Sequence, residues 1–219
     1  MEEYRLVKTF DKPTEASDKV YSVLRMFGLC AEGLFLKTKT HRCKLLTEAG
    51  DIVFFTGPSG SGKSVLLREL RGKIPASKRI DLEEIDLEKD KALVDCIEGD
   101  FVTSLRTLNS AGLNDVVCIL NKPVNLSEGQ KYRYRLAKAL ASGKQFIFAD
   151  EFCSALDRIT ASVIAWNIRR FADKNKVTFI LASSHDDILI DLEPDILIKK
   201  DFSDDAEVVY RDCRRQKGV

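Results

Sequence analysis

The sequence predicts an α/β protein with a mostly parallel sheet and helices on both faces. Two observations lead to this fold class. Four short apolar runs, at 52–56, 146–149, 177–182 and 196–198, read as buried strands. Each of the first three is followed by polar residues and then by a helical pattern, the alternation that builds parallel sheets. The 219 residues and 44% hydrophobic content allow a sizeable core and one large domain with a small appendage.

Residues 1–33 read as a prelude expected to pack on a main domain spanning 34–219. Residues 4–10 suit a strand. Residues 18–27 place Val20, Val23, Leu24 and Phe27 on one helical face before Gly28 as a stop. Lysine plus arginine total 35 and aspartate plus glutamate 34, so no global charge draws the chain to nucleic acid or membrane. No run approaches the ~18–20 apolar residues of a membrane span. The start, Met1-Glu2-Glu3-Tyr4-Arg5, lacks the form of a signal peptide, so a cytoplasmic protein is expected. The six cysteines are scattered without a Cys-x-x-Cys pair and read as small buried hydrophobes and loop thiols.

The strand at 52–56 runs into Gly57-Pro58-Ser59-Gly60-Ser61-Gly62-Lys63-Ser64, and an amphipathic stretch follows. This is the G-x-x-x-x-G-K-S phosphate loop of a P-loop NTPase, in its confirming strand–loop–helix context. Its glycines let several backbone N–H groups converge on one phosphate, and the helix start adds partial positive charge. Lys63, read as a charge at the loop tip, reaches the β and γ phosphates, and Ser64 offers a hydroxyl to Mg2+.

In Asn125-Leu126-Ser127-Glu128-Gly129-Gln130, Ser127 and Gln130 form a capping box at the start of a basic amphipathic helix. Tyr132, Leu136, Ala139 and Leu140 share one face of it, and Lys131, Arg135 and Lys138 another. The strand at 146–149 ends in Asp150 and Glu151. Asp150 suits a Mg2+ site, and Glu151 suits positioning or deprotonating an attacking water. Ser154-Ala155-Leu156-Asp157 follows. His185, after the strand at 178–182, can contact a γ-phosphate from its strand end.

Phosphate loop, signature helix, carboxylate pair, S-A-L-D turn and histidine, in that order, resemble the ATP-binding cassette family over roughly residues 34–200. The resemblance implies ATP and Mg2+ as ligands and ATP hydrolysis as the activity. It makes Lys63 and Ser64 nucleotide and metal contacts, Asp150 the metal-associated aspartate, Glu151 the catalytic base and His185 the switch histidine. Across a head-to-tail dimer it implies that Ser127 and Gly129, with Gln130 beside them, meet the partner's nucleotide, and that Asp157 lies in the communicating loop. Glu128 stands where the usual signature has glycine.

About 60 residues separate Ser64 from the signature, fewer than transporter cassettes usually have, and no glutamine lies between them. Asp95 is the candidate substitute for the missing glutamine, against the alternative of an ordinary surface aspartate. Phe35 is the positional candidate for adenine stacking, against a core role. With a shortened helical subdomain, and in the runs at 26–29, 62–67, 126–134 and 150–153, the chain resembles a soluble, non-transporter group of these ATPases, some of whose members are fused to an acetyltransferase-like domain. The expected output is a non-transport process with an unknown protein partner. The alternatives are the ATP-binding subunit of a membrane transporter and a nucleic-acid-linked ATPase. The latter draws only on Lys131, Arg133, Arg135 and Lys138 and on the tail residues Arg211, Arg214, Arg215 and Lys217. A small P-loop kinase is disfavoured, because neither the signature helix nor His185 supplies an acceptor pocket.

Overall fold

The computed structural model describes residues 1–10, 17–28 and 39–211. Its elements are β1 (Glu2–Phe10), α1 (Asp18–Met26), β2 (Lys39–Thr47), β3 (Ile52–Thr56), α2 (Lys63–Lys73), β4 (Arg79–Asp81), α3 (Leu93–Cys96), α4 (Phe101–Ser110), α5 (Val116–Ile119), α6 (Glu128–Ala141), β5 (Phe146–Ala149), α7 (Arg158–Asn175), β6 (Thr178–Ala182), α8 (Leu189–Leu192), β7 (Ile196–Lys199) and β8 (Glu207–Tyr210).

The main sheet has the order β4-β5-β6-β3-β7-β8, parallel except for β8. Because strand side chains alternate, each central strand feeds two cores. Ile52, Phe54, Ile147, Phe179 and Leu181 face the helical lobe built from α3 to α7. Val53, Phe55, Phe148, Ile180 and Ile198 face α2 and the β1–β2 ribbon. All four expected strands are present, and the one at 177–182 begins a residue late, at Thr178. Burial of both faces explains why they read as continuous apolar runs.

β1 and β2 form an antiparallel ribbon from Glu2↔Thr47 to Phe10↔Lys39. Leu6, Cys43 and Leu45 are its buried face over α2. The Leu46 amide donates to the Tyr210 hydroxyl at 2.9 Å, tying the ribbon to β8. The expected apolar face of the first helix is covered only in part: Leu24 is buried, while Val20, Val23 and Phe27 are exposed. The four described cysteines, Cys43, Cys96, Cys118 and Cys153, are buried and free. No helix among the described residues is long and apolar enough to cross a membrane.

Candidate nucleotide site

β3 delivers the phosphate loop to the carboxyl edge of the sheet, where α/β proteins bind ligands. Two of its glycines are required by close approach. At Gly57 (φ 136°) an added Cβ would stand 1.9 Å from the carbonyl oxygen of Lys200, the residue just after the neighbouring strand β7. At Gly62 (φ 106°) it would stand 2.3 Å from Cε1 of His41. Gly62 caps α2 with no side-chain hydrogen bond. The start of α2 therefore has no side-chain cap from its N-cap residue, and a helix start of this kind suits an anion.

Lys63 departs from that reading in one respect. It is not a free charge at a loop tip but a buried side chain, 5% exposed. Its ammonium donates to the carbonyls of Gly57 (2.7 Å) and Pro58 (3.0 Å) and to Ser184 Oγ (3.1 Å). It thus braces the loop and joins it to the segment that follows β6. The cause is tertiary: β6 lies beside β3, so Ser183 and Ser184 emerge next to the loop.

The Ser64 hydroxyl donates to Asp150 Oδ1 at 3.0 Å, although 86 residues separate them. The Asp150 side chain is only 9% exposed, and Arg68 approaches its other oxygen at 3.8 Å. A hydroxyl and a nearly buried carboxylate, both hard oxygen donors, fit Mg2+, which prefers such ligands and keeps several waters. The Glu151 amide donates to Asp150 Oδ1 at 3.0 Å, and Glu151 itself has φ 47°. This left-handed residue, two positions after β5, breaks the extended backbone of the strand. Glu151 lines a cavity of about 380 Å³ together with Lys63, Ser64, Gly60, Lys39 and Phe10.

His185 is exposed after β6, adjacent to the Ser184 that holds Lys63, and its amide donates to Ser183 Oγ at 3.1 Å. Thr56 at the loop entrance donates to the Asp186 carboxylate. Asp157 caps α7, accepting from the Thr160 amide at 2.9 Å and the Thr160 hydroxyl at 2.7 Å. The Thr160 bonds hold its carboxyl below the usual range.

The capping box of α6 is present: Ser127 and Gln130 exchange bonds at 3.0 and 3.3 Å. Gly129 packs on the S-A-L-D turn, where an added Cβ would meet Leu156 at 3.3 Å and the Ala155 carbonyl at 3.4 Å. Signature and turn therefore form one continuous surface. Ser127 is exposed on it, and Glu128 is paired with Lys131 at 2.8 Å. The expected apolar face of α6 is present: Leu136, Ala139 and Leu140 are buried, Tyr132 packs partly buried against the same core, and Tyr134 and Ala137 extend it. Its basic face is not free. Arg133 donates to the Gly112 carbonyl, Arg135 to that of Ile85, and Lys138 to Glu88 and the Cys96 carbonyl. These side chains hold the helical lobe together.

Asp95 is exposed on α3, and no described bond carries it to Ser64 or Asp150. Phe35 lies outside the described residues, as do Cys30, Cys213, Arg214, Arg215 and Lys217. Four residues missed by sequence reasoning belong to the site: Phe10, Lys39, His41 and Ser184. For His41 a signal existed. In Thr40-His41-Arg42-Cys43-Lys44-Leu45 the strand alternation puts His41 on the buried face with Cys43 and Leu45.

Comparison with known proteins gives the class. The family described as ABC transporter matches residues 40–154, just over half of the chain. The chain belongs to this family and is an ATP hydrolase of it. Among relatives, the uncharacterized ABC transporter ATP-binding protein YvrO of Bacillus subtilis is 30% identical over 206 residues, 75% of this chain and 85% of that protein. The aliphatic sulfonates import ATP-binding protein SsuB 1 of Paracoccus denitrificans is 27% identical over 194 residues, 80% of this chain and 79% of that protein. The uncharacterized Rv0073 of Mycobacterium tuberculosis is 29% identical, and the chain spans only 57% of its length. The fold is shared with the dimeric ATP-binding cassette MJ0796 in a post-hydrolysis state bound to ADP and Pi. That likeness has a TM-score of 0.65 at 17% identity, and covers 94% of this chain and 96% of the other.

Proposed function

We propose that the chain binds Mg-ATP at Gly57–Ser64 and Asp150 and hydrolyses it in a head-to-tail dimer, with a non-transport process as its output. The observation that carries the site is the Ser64–Asp150 hydrogen bond beside the uncapped start of α2. Lys63 would face the β and γ phosphates, and bound Mg2+ would offset their negative charge. Glu151 would position or deprotonate the attacking water, and His185 would meet the γ-phosphate. Ser127, Gly129 and Gln130 lie on an exposed helix start, suited to a phosphate held by a second copy. Asp157 would carry the coupling between copies.

A non-transport output is supported by the short span between Ser64 and Asn125, which lacks glutamine. The resemblance of the runs at 26–29, 62–67, 126–134 and 150–153 is what supports a kinship with the cassettes that occur fused to an acetyltransferase-like domain. The relatives named above instead carry ABC transporter names, and this favours a second reading as the ATP-binding subunit of a transporter. That reading also draws on Val116, Val117 and Leu120, which are exposed on the helical lobe and suit a docked partner. A nucleic-acid role loses its support from α6, whose basic side chains are bonded internally.

Turnover by the purified chain, with and without Ser127→Arg, tests the proposal. Hydrolysis without any membrane component, lost in Ser127→Arg while ATP binding persists, is expected. A chain silent until joined to a membrane-spanning partner would establish the second reading.

A further inference from the structure

His41 is 2% exposed, yet its Nδ1 finds no hydrogen-bond partner. Buried polar atoms are rarely left so, and those that are call for an explanation. The ring lies against the last glycine of the phosphate loop: Cε1, Nδ1 and Nε2 stand 2.3, 2.5 and 3.0 Å from the Cβ position of Gly62. The same ring lines the cavity that contains Lys63, Ser64 and Glu151. Phe10 meets it edge-on, with centroids 6.1 Å apart.

The charges around His41 are mostly positive. Lys39 stands two residues away on β2, and Lys200 and Asp204 come from the β7–β8 connection. On β1, Lys8 is directly opposite in the ladder but is paired with Glu69 of α2 at 3.2 Å. Lys63 and Glu151 share the cavity. Burial first, then Lys200 and Lys39, hold the imidazolium below the ordinary histidine range, with Asp204 opposing. A polyphosphate seated on the N–H groups at Gly62 would reverse the sign of this field.

We propose that His41 is a further nucleotide-binding residue: neutral while the loop is empty, it takes up a proton when a nucleotide polyphosphate fills the loop, and its charge then helps hold the phosphates. The inference rests on the nucleotide-site reading above. Because the nucleotide-loaded state binds the proton more tightly, nucleotide affinity rises as pH falls through the window between the two titration midpoints.

The chain has two histidines, His41 and His185, so the Cε1–Hε1 region of an NMR spectrum contains two signals, assigned with His185→Gln. The experiment titrates the untagged full chain against pH, alone and saturated with Mg-ADP, which lacks the γ-phosphate that His185 is positioned to meet. The expected result is a His41 midpoint at least one pH unit higher with Mg-ADP than without. Mg-ADP affinity should then rise about tenfold for each pH unit between the two midpoints, as pH is lowered through that window. A midpoint unchanged while amides of residues 57–64 respond to Mg-ADP would overturn the role of His41. If neither those amides nor His41 respond, the nucleotide-site reading itself fails.

Discussion

The Tyr132 hydroxyl accepts the amide hydrogen of Cys153 at 3.1 Å, joining the signature helix to the loop that follows the carboxylate pair. Cys153 has φ 60°, a left-handed conformation that an ordinary residue keeps only when its surroundings hold it. Burial drives the Tyr132 hydroxyl far above its ordinary pKa and pushes the Cys153 thiol up to about 12, so both groups stay neutral. Tyr132→Phe leaves the Cys153 amide without its partner. A stability loss of about 1–3 kcal/mol is expected in urea unfolding, with slower ATP turnover. Unchanged stability would mean that the bond is dispensable.

Glu151→Gln keeps the shape of the side chain but makes a poor base. Turnover should drop by roughly 10²–10⁴-fold. With hydrolysis blocked, mass should move from monomer to dimer when ATP and Mg2+ are added, and not with ADP. Sedimentation of the variant checks this; a monomer at saturating ATP contradicts the head-to-tail dimer.

Glu128 places a carboxylate at the first position of α6, where a partner's γ-phosphate would sit. Its pairing with Lys131 holds its carboxyl below the usual range. Removing the charge in Glu128→Gly should tighten the ATP-dependent dimer a few-fold, because like charges repel and the carboxylate would face a phosphate. Sedimentation in the Glu151→Gln background measures it, and a weaker dimer would show that the carboxylate contributes favourably.

Gly62→Ala must seat a Cβ where His41 lies 2.3 Å away, on a residue with φ 106°. The backbone strain alone costs about 1–3 kcal/mol, and the ring must also move. Lower thermal stability and lost nucleotide binding are expected together. Gly60→Ala, with nothing within 4 Å of the added Cβ, meets only the conformational cost of φ 74° and should be milder. Equal losses at both positions would remove the contact with His41 from the account.

His41 also links stability to pH. Its folded value lies below the ordinary histidine value, so between the two the unfolded chain binds more protons. Its contribution is complete above about pH 6.5 and declines as pH falls from there toward the folded midpoint. The stability difference between wild type and His41→Gln should therefore depend on pH in that window. A difference constant from about pH 7.5 to about pH 5, a range that brackets the ordinary histidine value, would show that His41 does not titrate differently on folding.

The sequence alone determined what is encoded locally. The run from Ile52 through Ser64 into α2, the capping box of Ser127 and Gln130, and the strand ending in Asp150 and Glu151 follow from period, caps and glycine placement within a few residues. The tertiary structure alone decided which distant groups meet. Ser184 reaches Lys63 across 121 residues because β6 lies beside β3. The Lys200 carbonyl closes on Gly57 because β7 lies on the other side. His41 lies under Gly62 because the β1–β2 ribbon folds over α2. Strand order and ribbon placement depend on how two cores fill opposite faces of one sheet, and no local periodicity carries that information.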